Sequence, residues 1–207
     1  MNPNIQDMAA HLLDMAADSE RFIVAMAGPP AAGKSLLSEW LCREINERRP
    51  GIAAVVPMDG YHFDNAVLER QEMVPIKGAP ETFDVDGLHQ DLMRIRRADK
   101  SVAVPVFDRP LDLARAGGRL ITLEHRIVIV EGNYLLLERD PWRELHPLFD
   151  MTLFLEVADE VLEARLIQRW LDMGQDRQAA FAKACQKDML NARLIKAESI
   201  QPDLRWS

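Results

Sequence analysis

The sequence of 207 residues predicts an α/β fold in which a parallel β-sheet is flanked by helices and carries a small helical lid. Three observations support this fold class: apolar runs of strand length recur, helical patterns separate them, and a glycine-rich loop follows the first run. Strands that alternate with helices indicate a parallel sheet. We expect one domain over residues 1–207, because this length suits a single α/β core.

The predicted elements begin with an N-terminal helix at residues 3–20, where Ile5, Met8 and Leu12 repeat with helical spacing and Asn2-Pro3 could form the cap. The five predicted strands are residues 22–27, 52–57, 102–107, 127–130 and 151–155. A long helix follows the last strand, and a polar break at 174–176 lies within the predicted lid at about 165–180. The remaining C-terminal residues are expected to be helical and then irregular.

Residues 28–35 match the motif G-x-x-x-x-G-K-[ST] between a predicted strand and a predicted helix. Backbone N–H groups of such a loop and the positive end of the helix point toward phosphate oxygens. Lys34 is predicted to reach the β- and γ-phosphates and Ser35 to hold Mg²⁺, whereas an ordinary strand-to-helix turn is the alternative. Because proline lacks an N–H group, the backbone donors must come from residues 31–35. The predicted nucleotide-binding residues are Gly28, Pro29, Pro30, Ala31, Ala32, Gly33, Lys34, Ser35 and Leu36.

Composition and charge limit the possible function classes. The formal net charge of −8 argues against a nucleic-acid partner, because a phosphate backbone requires a basic surface. Cys42 and Cys185 are the only cysteines, so neither a disulfide framework nor a zinc site is predicted. No apolar run approaches the roughly 20 residues of a membrane span, and no targeting segment is visible. We therefore expect a cytoplasmic protein without a membrane partner.

Polar residues follow three of the predicted strands. Asp59, Arg109 and Glu131 stand just beyond the second, third and fourth strands. Ligands of open α/β sheets bind at the carboxyl ends of the strands, so these residues should converge on one crevice with the phosphate loop. Asp59 is predicted to orient an acceptor hydroxyl and take its proton, and Glu131 to hold Mg²⁺. The alternatives are a turn aspartate before Gly60 and a solvent-exposed glutamate.

Other candidates lie in the lid and near Asp59. Arg165 and Arg169 lie one helical turn apart, and neither has an acidic residue three or four positions earlier to offset their repulsion. A phosphate group that binds between them would relieve this repulsion, so they are predicted to contact phosphate. A surface pair between Arg169 and Asp172 is the alternative. Tyr61 and His62 could line an acceptor pocket, and Arg109 could hold a substrate oxygen or phosphate; surface roles remain open for His62 and Arg109.

Four segments resemble the group of P-loop kinases that comprises phosphoribulokinase, uridine kinase and type I pantothenate kinase. They are residues 28–35, Met-Asp-Gly-Tyr-His at 58–62, Lys-Gly-Ala-Pro-Glu-Thr-Phe-Asp at 77–84 and Val-Glu-Gly-Asn at 130–133. The chain is most similar to short bacterial members described as nucleoside/nucleotide kinase-like or fructose-transport-associated kinases. The resemblance covers roughly residues 20–195.

The resemblance implies a Rossmann-like kinase that uses ATP and Mg²⁺. It implies that Asp59 is the base, that Lys34 contacts phosphates, that Ser35 and Glu131 bind Mg²⁺, and that Arg165 and Arg169 lie on a lid. Asn133 is assigned with Asp59, Tyr61, His62 and Arg109 to the substrate site. Where pantothenate kinases carry a Ser-His pair, this chain has Phe-Asp-Arg-Pro at 107–110. A sugar hydroxyl is therefore the leading acceptor, with nucleosides and pantothenate as alternatives, and a homodimer is compatible with the group.

Two other classes of protein share the phosphate loop. The first class is a nucleotide-hydrolysing switch or chaperone. GTPases of this class select guanine with an [NT]-K-x-D segment, and no lysine in this sequence is preceded by Asn or Thr, so this class is disfavoured. A kinase of nucleoside monophosphates would not need a base such as Asp59. A protein that binds nucleotide without turnover remains open at this point.

Overall fold

Residues 4–207 are described by the computed structural model, and helices and strands alternate along most of this length. The helices are α1 (Ile5–Met15), α2 (Lys34–Arg48), α3 (Asn65–Arg70), α4 (Val85–Arg97), α5 (Asp159–Asp172), α6 (Arg177–Lys183) and α7 (Met189–Glu198). The strands are β1 (Phe22–Ala27), β2 (Ala53–Pro57), β3 (Val102–Asp108), β4 (Leu113–Ile121), β5 (Ile127–Gly132), β6 (Met151–Leu155) and β7 (Leu204–Trp206).

The main sheet is parallel and has the strand order β2-β5-β1-β6-β7. Every residue of β1 is buried, because helices cover both faces of the sheet. Ile23 and Ala25 pack in the cluster that includes α4, whereas Val24 and Met26 pack in the cluster that includes α1, α2 and α5. The predicted α/β fold, with a parallel sheet flanked by helices, is confirmed.

The third predicted strand does not join this sheet. β3 pairs antiparallel with β4, and the two form a separate hairpin. Val102 and Val104 are buried in the core, which explains the apolar pattern that predicted a strand. The expectation that Arg109 follows a strand of the main sheet is therefore wrong: it follows an arm of the hairpin.

The chain ends also differ from the expectations. Helix α1 is capped by Asn4, whose side chain accepts the N–H of Asp7 at 2.8 Å, and it ends at Met15 rather than near residue 20. The suggested cap at Asn2-Pro3 lies outside the described residues. Near the C-terminus, β7 pairs with β6 where irregular chain was expected. No helix within residues 4–207 has the length and apolar character to cross a membrane.

The ends of β1, β2 and β5 meet at one edge of the sheet. Glu131 on β5 lies beside Met26 of β1 on one side and beside Pro57 of β2 on the other. The phosphate loop leaves β1 one residue after Met26, and Asp59 follows two residues after Pro57. The register of three strands therefore brings the loop, Asp59 and Glu131 to the same edge.

Candidate active site

The phosphate loop connects β1 to α2 through glycines at its two ends. Gly28 has φ 152°, and a Cβ at this position would lie 2.9 Å from the backbone oxygen of Leu155. Gly33, with φ 99°, caps the N-terminus of α2. Between them, the N–H of Ala32 donates to the carbonyl of Pro29 at 3.2 Å. The loop therefore curves tightly at the positive end of α2, which is the geometry that binds phosphate. Leu36 is exposed on the first turn of that helix.

Lys34 lies folded onto its own loop. Its Nζ donates to the carbonyl of Pro29 at 2.9 Å and to Oδ1 of Asn133 at 2.7 Å, and the residue is only 7% exposed. Burial lowers the pKa of Lys34 to about 8, although the charges of Glu131 and Asp59 favour its protonated form. An ammonium group buried in this way is stabilised by an arriving anion. The contact with Lys34 places the side chain of Asn133 beside the phosphate loop, and its assignment to the substrate site stays a prediction.

Ser35 and Glu131 form a pair of oxygen groups below the loop. The hydroxyl of Ser35 donates to Oε1 of Glu131 at 3.0 Å. Burial raises the pKa of the Glu131 carboxyl, and the charge of Asp59 raises it further, whereas Lys34 lowers it. Mg²⁺ prefers oxygen ligands and usually keeps several from water and substrate phosphates. The adjacent hydroxyl and carboxylate, at the edge of the phosphate loop, therefore fit a shared magnesium site.

Asp59 lies in the turn Met58–Tyr61 that follows β2, and it is paired with Arg109. Oδ2 of Asp59 accepts from Nη2 of Arg109 at 2.6 Å, and the Arg109 side chain is 67% exposed. A Cβ at Gly60 would lie 2.3 Å from the carbonyl oxygen of Pro105, which shows that the hairpin packs closely on this turn. Asp59, Arg109 and Glu131 thus come together as expected, although a hairpin rather than a sheet strand supplies Arg109.

Tyr61 and His62 have different surroundings. The hydroxyl of Tyr61 donates to Asp91 on α4 at 2.9 Å, and the residue is buried in the core. Burial raises the pKa of Tyr61, and Asp91 raises it further. The structure thus directs the hydroxyl of Tyr61 to α4, and the role of Tyr61 in the acceptor pocket stays a prediction. The ring of His62 lies 4.8 Å from the ring of Phe107, its Nδ1 donates to the carbonyl of Asp59 at 2.8 Å, and burial lowers its pKa.

The wall beside His62 contains polar residues that sequence reasoning missed. Nζ of Lys77 lies 3.0 Å from Oδ1 of Asp112 and donates to Oδ1 of Asn65 at 2.7 Å. The same ammonium lies 5.3 Å from the centroid of the Phe107 ring. Lys77 begins the segment 77–84, which carries part of the family resemblance. The sequence therefore marked this segment, but it did not indicate the contacts of the Lys77 side chain. Asn65 and Asp112 had no signal in the sequence.

Helix α5 carries both arginines that were assigned to the predicted lid. Arg165 donates from Nη1 to the carbonyl of Ala31 at 3.1 Å, so it touches the phosphate loop. Nη2 of Arg169 lies 3.2 Å from Oδ2 of Asp188. The alternative pairing of Arg169 with Asp172 is not formed, because Oδ1 of Asp172 accepts from Gln168 at 2.8 Å. The structure thus brings Arg165 to the loop and gives Arg169 a partner that sequence reasoning missed.

Comparisons with known proteins agree with this geometry. No protein-family model matches the sequence. A protein of Schizosaccharomyces pombe, provisionally named a uridine kinase, is 30% identical over 201 residues, which cover 93% of this chain and 85% of that protein. A pantothenate kinase of Mycolicibacterium vanbaalenii is 31% identical over 169 residues, which cover 78% of this chain and 51% of that enzyme. A crystal structure from Silicibacter sp. TM1040, provisionally named a fructose transport system kinase, has a TM-score of 0.92 and 40% identity and covers 99% of this chain and 100% of that chain.

Proposed function

The chain belongs to the phosphoribulokinase, uridine kinase and type I pantothenate kinase group of ATP-dependent P-loop kinases, and within this group we propose that it phosphorylates a sugar hydroxyl. Members of the group transfer a phosphoryl group to a hydroxyl of a small molecule. The sugar assignment is supported by the similarity to the fructose transport system kinase, which extends over the whole length of both chains. The replacement of the Ser-His pair by residues 107–110 argues against pantothenate.

One observation carries the proposed reaction: a carboxylate stands at the same sheet edge as the phosphate loop. Asp59 follows β2, whose Pro57 pairs with Glu131, and the charge of Asp59 affects the pKa of both Lys34 and Glu131. A base in this position can reach a hydroxyl group that is presented to the γ-phosphate. Simple nucleotide binding would not require such a base.

The proposed reaction proceeds by direct transfer. Asp59 accepts the proton of the acceptor hydroxyl while that oxygen forms a bond to the γ-phosphorus of ATP. The bond between the γ-phosphorus and the bridging oxygen of ADP breaks at the same time, and the products are a phosphate monoester and ADP. Lys34, Arg165 and Arg169 stabilise the negative charge on the phosphate oxygens.

Ser35 and Glu131 are proposed to hold Mg²⁺ beside the β- and γ-phosphates. When bound there, the ion neutralises negative charge on these phosphates and so favours transfer. The hydrogen bond from Ser35 to Glu131 at 3.0 Å keeps both oxygens in place before the nucleotide arrives. A divalent cation held there would favour the deprotonated form of Glu131, whose oxygen lone pairs would then serve as ligands.

Asp59 must exchange its partner before it can act as a base. In the structure its Oδ2 accepts from Arg109 at 2.6 Å. An acceptor that carries several hydroxyl groups can present one of them to Asp59 and another oxygen to Arg109. The exposed guanidinium of Arg109 has the freedom for this exchange, because 67% of its side chain is accessible to solvent. This pairing supports an oxygen-rich acceptor such as a sugar.

A screen of acceptors tests the proposed function. ADP release from MgATP is measured with hexoses, pentoses, nucleosides and pantothenate, and ³¹P NMR identifies the phosphate monoester in each positive reaction. Turnover with hexoses or pentoses alone is the expected result. Turnover with nucleosides alone would contradict the sugar assignment and indicate a nucleoside kinase, as the name of the uridine kinase relative suggests. ADP release no faster than in the sample without acceptor would contradict the sugar assignment.

A further inference from the structure

The helical segment from α5 to α7, which includes the predicted lid, contains a buried aspartate to which the proposed reaction assigns no role. Asp188 is only 6% exposed, although aspartate is rarely buried without a partner. Its Oδ2 accepts from Nη2 of Arg169 at 3.2 Å and from Nε1 of Trp170 at 2.7 Å. Both donors lie near the end of α5, whereas Asp188 lies between α6 and α7. One carboxylate oxygen therefore joins the end of α5 to the turn before α7.

A π-helical turn brings Asp188 to this position. The turn spans Ala184–Asp188, and the N–H of Met189 donates to the carbonyl of Ala184, five residues earlier. Because the turn contains an extra residue, Ala184 and Met189 both remain in the core, at 0% and 1% exposure. Single π-helical turns within helical regions are frequent at functional sites. The turn also packs against α5, which carries the partners of Asp188.

The carboxylate restricts the guanidinium group of Arg169. A free arginine side chain has several rotatable bonds and loses entropy when it is fixed. Here Cζ of Arg169 lies 5.7 Å from the ring centroid of Trp170, and Nη2 of Arg169 donates to Asp188. An arginine that is oriented before the substrate arrives loses less entropy when it contacts a phosphate group. Its remaining N–H groups stay available as donors, because guanidinium has five.

Arg169 lies near enough to the phosphate loop to influence it. Its charge lowers the pKa of Lys34, and Arg165, one turn earlier on the same helix, donates to the carbonyl of Ala31 at 3.1 Å. Asp188 is therefore one contact away from a cation that acts at the donor phosphates. Its own carboxylate does not need to touch the nucleotide.

We propose that Asp188 is a positioning residue for phosphoryl transfer, which holds the guanidinium of Arg169 in the orientation that contacts the transferred phosphate. The role rests on the proposed function, because it requires Arg169 to stabilise the γ-phosphate during transfer. It does not depend on which alcohol accepts the phosphate. Asp188 thus links the π-helical turn to the chemistry at the phosphate loop.

Kinetics of three variants test this role: Asp188→Asn, Arg169→Ala and the double variant. Turnover number and KM for ATP are measured with the acceptor found in the screen and, separately, with water as the acceptor. Asp188→Asn should lower the turnover number by about ten- to a hundredfold and change KM for ATP by less than about threefold. In the Arg169→Ala background, Asp188→Asn should cause no further loss. Asp172→Asn, a matched change on the surface of α5, should leave both constants unchanged.

The outcomes separate the positioning role from a purely structural one. A wild-type turnover number in Asp188→Asn, or losses that multiply in the double variant, would overturn the role. If Arg169→Ala retains its turnover number, the proposed role of Arg169 fails and that of Asp188 fails with it. If no sugar is phosphorylated, the rates with water still decide the role of Asp188. Thermal melting is recorded for each variant to show that it folds. If Asp188→Asn does not fold, Asp188→Glu takes its place: it keeps the charge but displaces Arg169, so it should also lower the turnover number.

Discussion

Nucleotide binding should be coupled to proton uptake by Lys34 at alkaline pH. Burial lowers the pKa of Lys34 to about 8 in the nucleotide-free protein, so the side chain is mostly neutral at pH 9. Phosphate oxygens beside the Nζ atom favour the ammonium form and raise this pKa again. The bound state therefore holds more protons than the free state between pH 8 and the higher pKa of the complex.

The magnitude of the uptake follows from the pKa of about 8. At pH 9, roughly 0.9 of the Lys34 side chains are neutral before binding, so about 0.9 proton should be taken up per nucleotide. At pH 7 the corresponding value is only about 0.1 proton. The Kd for the nucleotide should therefore rise by about fivefold between pH 8 and pH 9, and by nearly tenfold for each further pH unit below the pKa of the complex.

Calorimetry of MgADP binding measures this coupling. Titrations at pH 9 in buffers with different ionisation enthalpies give the number of protons taken up, and ADP is fully ionised at that pH. Lys34→Met should abolish the uptake. Lys187→Met is the control, because burial also lowers the pKa of Lys187, and this variant should retain the uptake. An absence of uptake in the wild type, or the same uptake in Lys34→Met, would refute the reasoning.

Three further substitutions test other parts of the site. Asp59→Asn should lower the turnover number by about 10²- to 10⁴-fold but keep the affinity for MgATP, which is measured by titration. A turnover number equal to that of the wild type would exclude Asp59 as the base. Glu131→Gln should raise the Mg²⁺ concentration for half-maximal activity by about tenfold or more, because a charged ligand is lost; an unchanged magnesium titration contradicts the shared site. Gly60→Ala should lower the free energy of unfolding by about 1–3 kcal/mol, because its Cβ would approach the carbonyl of Pro105, and an unaltered melting temperature rules out this close packing.

The donor side of the site could be predicted because its geometry is local. Residues 28–35 are contiguous, and a loop between a buried strand and a helix has few ways to place its N–H groups. The ends of parallel strands also meet at one edge, so the neighbourhood of Asp59 and Glu131 followed from the strand pattern. The roles of these residues remain predictions, but their positions did not require knowledge of distant contacts.

The acceptor side and the lid depend on contacts between distant parts of the chain. Arg109 lies 50 residues from Asp59, and Arg169 lies 19 residues from Asp188. β4 contains arginines and a pair of glycines, so its sequence lacks the apolar alternation from which a partner for β3 could be inferred. Tyr61 follows Asp59 closely, but the tight turn directs its hydroxyl to Asp91 on α4. Such directions are set by packing rather than by spacing.

The hairpin of β3 and β4 has a consequence for how proteins of this fold can evolve, because it is separate from the sheet that carries the phosphate loop. Within residues 4–207 its strands pair only with each other, and its tip, residues 108–112, carries Arg109 beside Asp59 and Asp112 beside Lys77. We expect substitutions at this exposed tip to leave the strand pairing of the main sheet and the phosphate loop intact. If the tip contacts the acceptor as proposed, acceptor preference can diverge among descendants while the ATP site is inherited unchanged. A small shared scaffold that accepts many different alcohols is the result expected from this division.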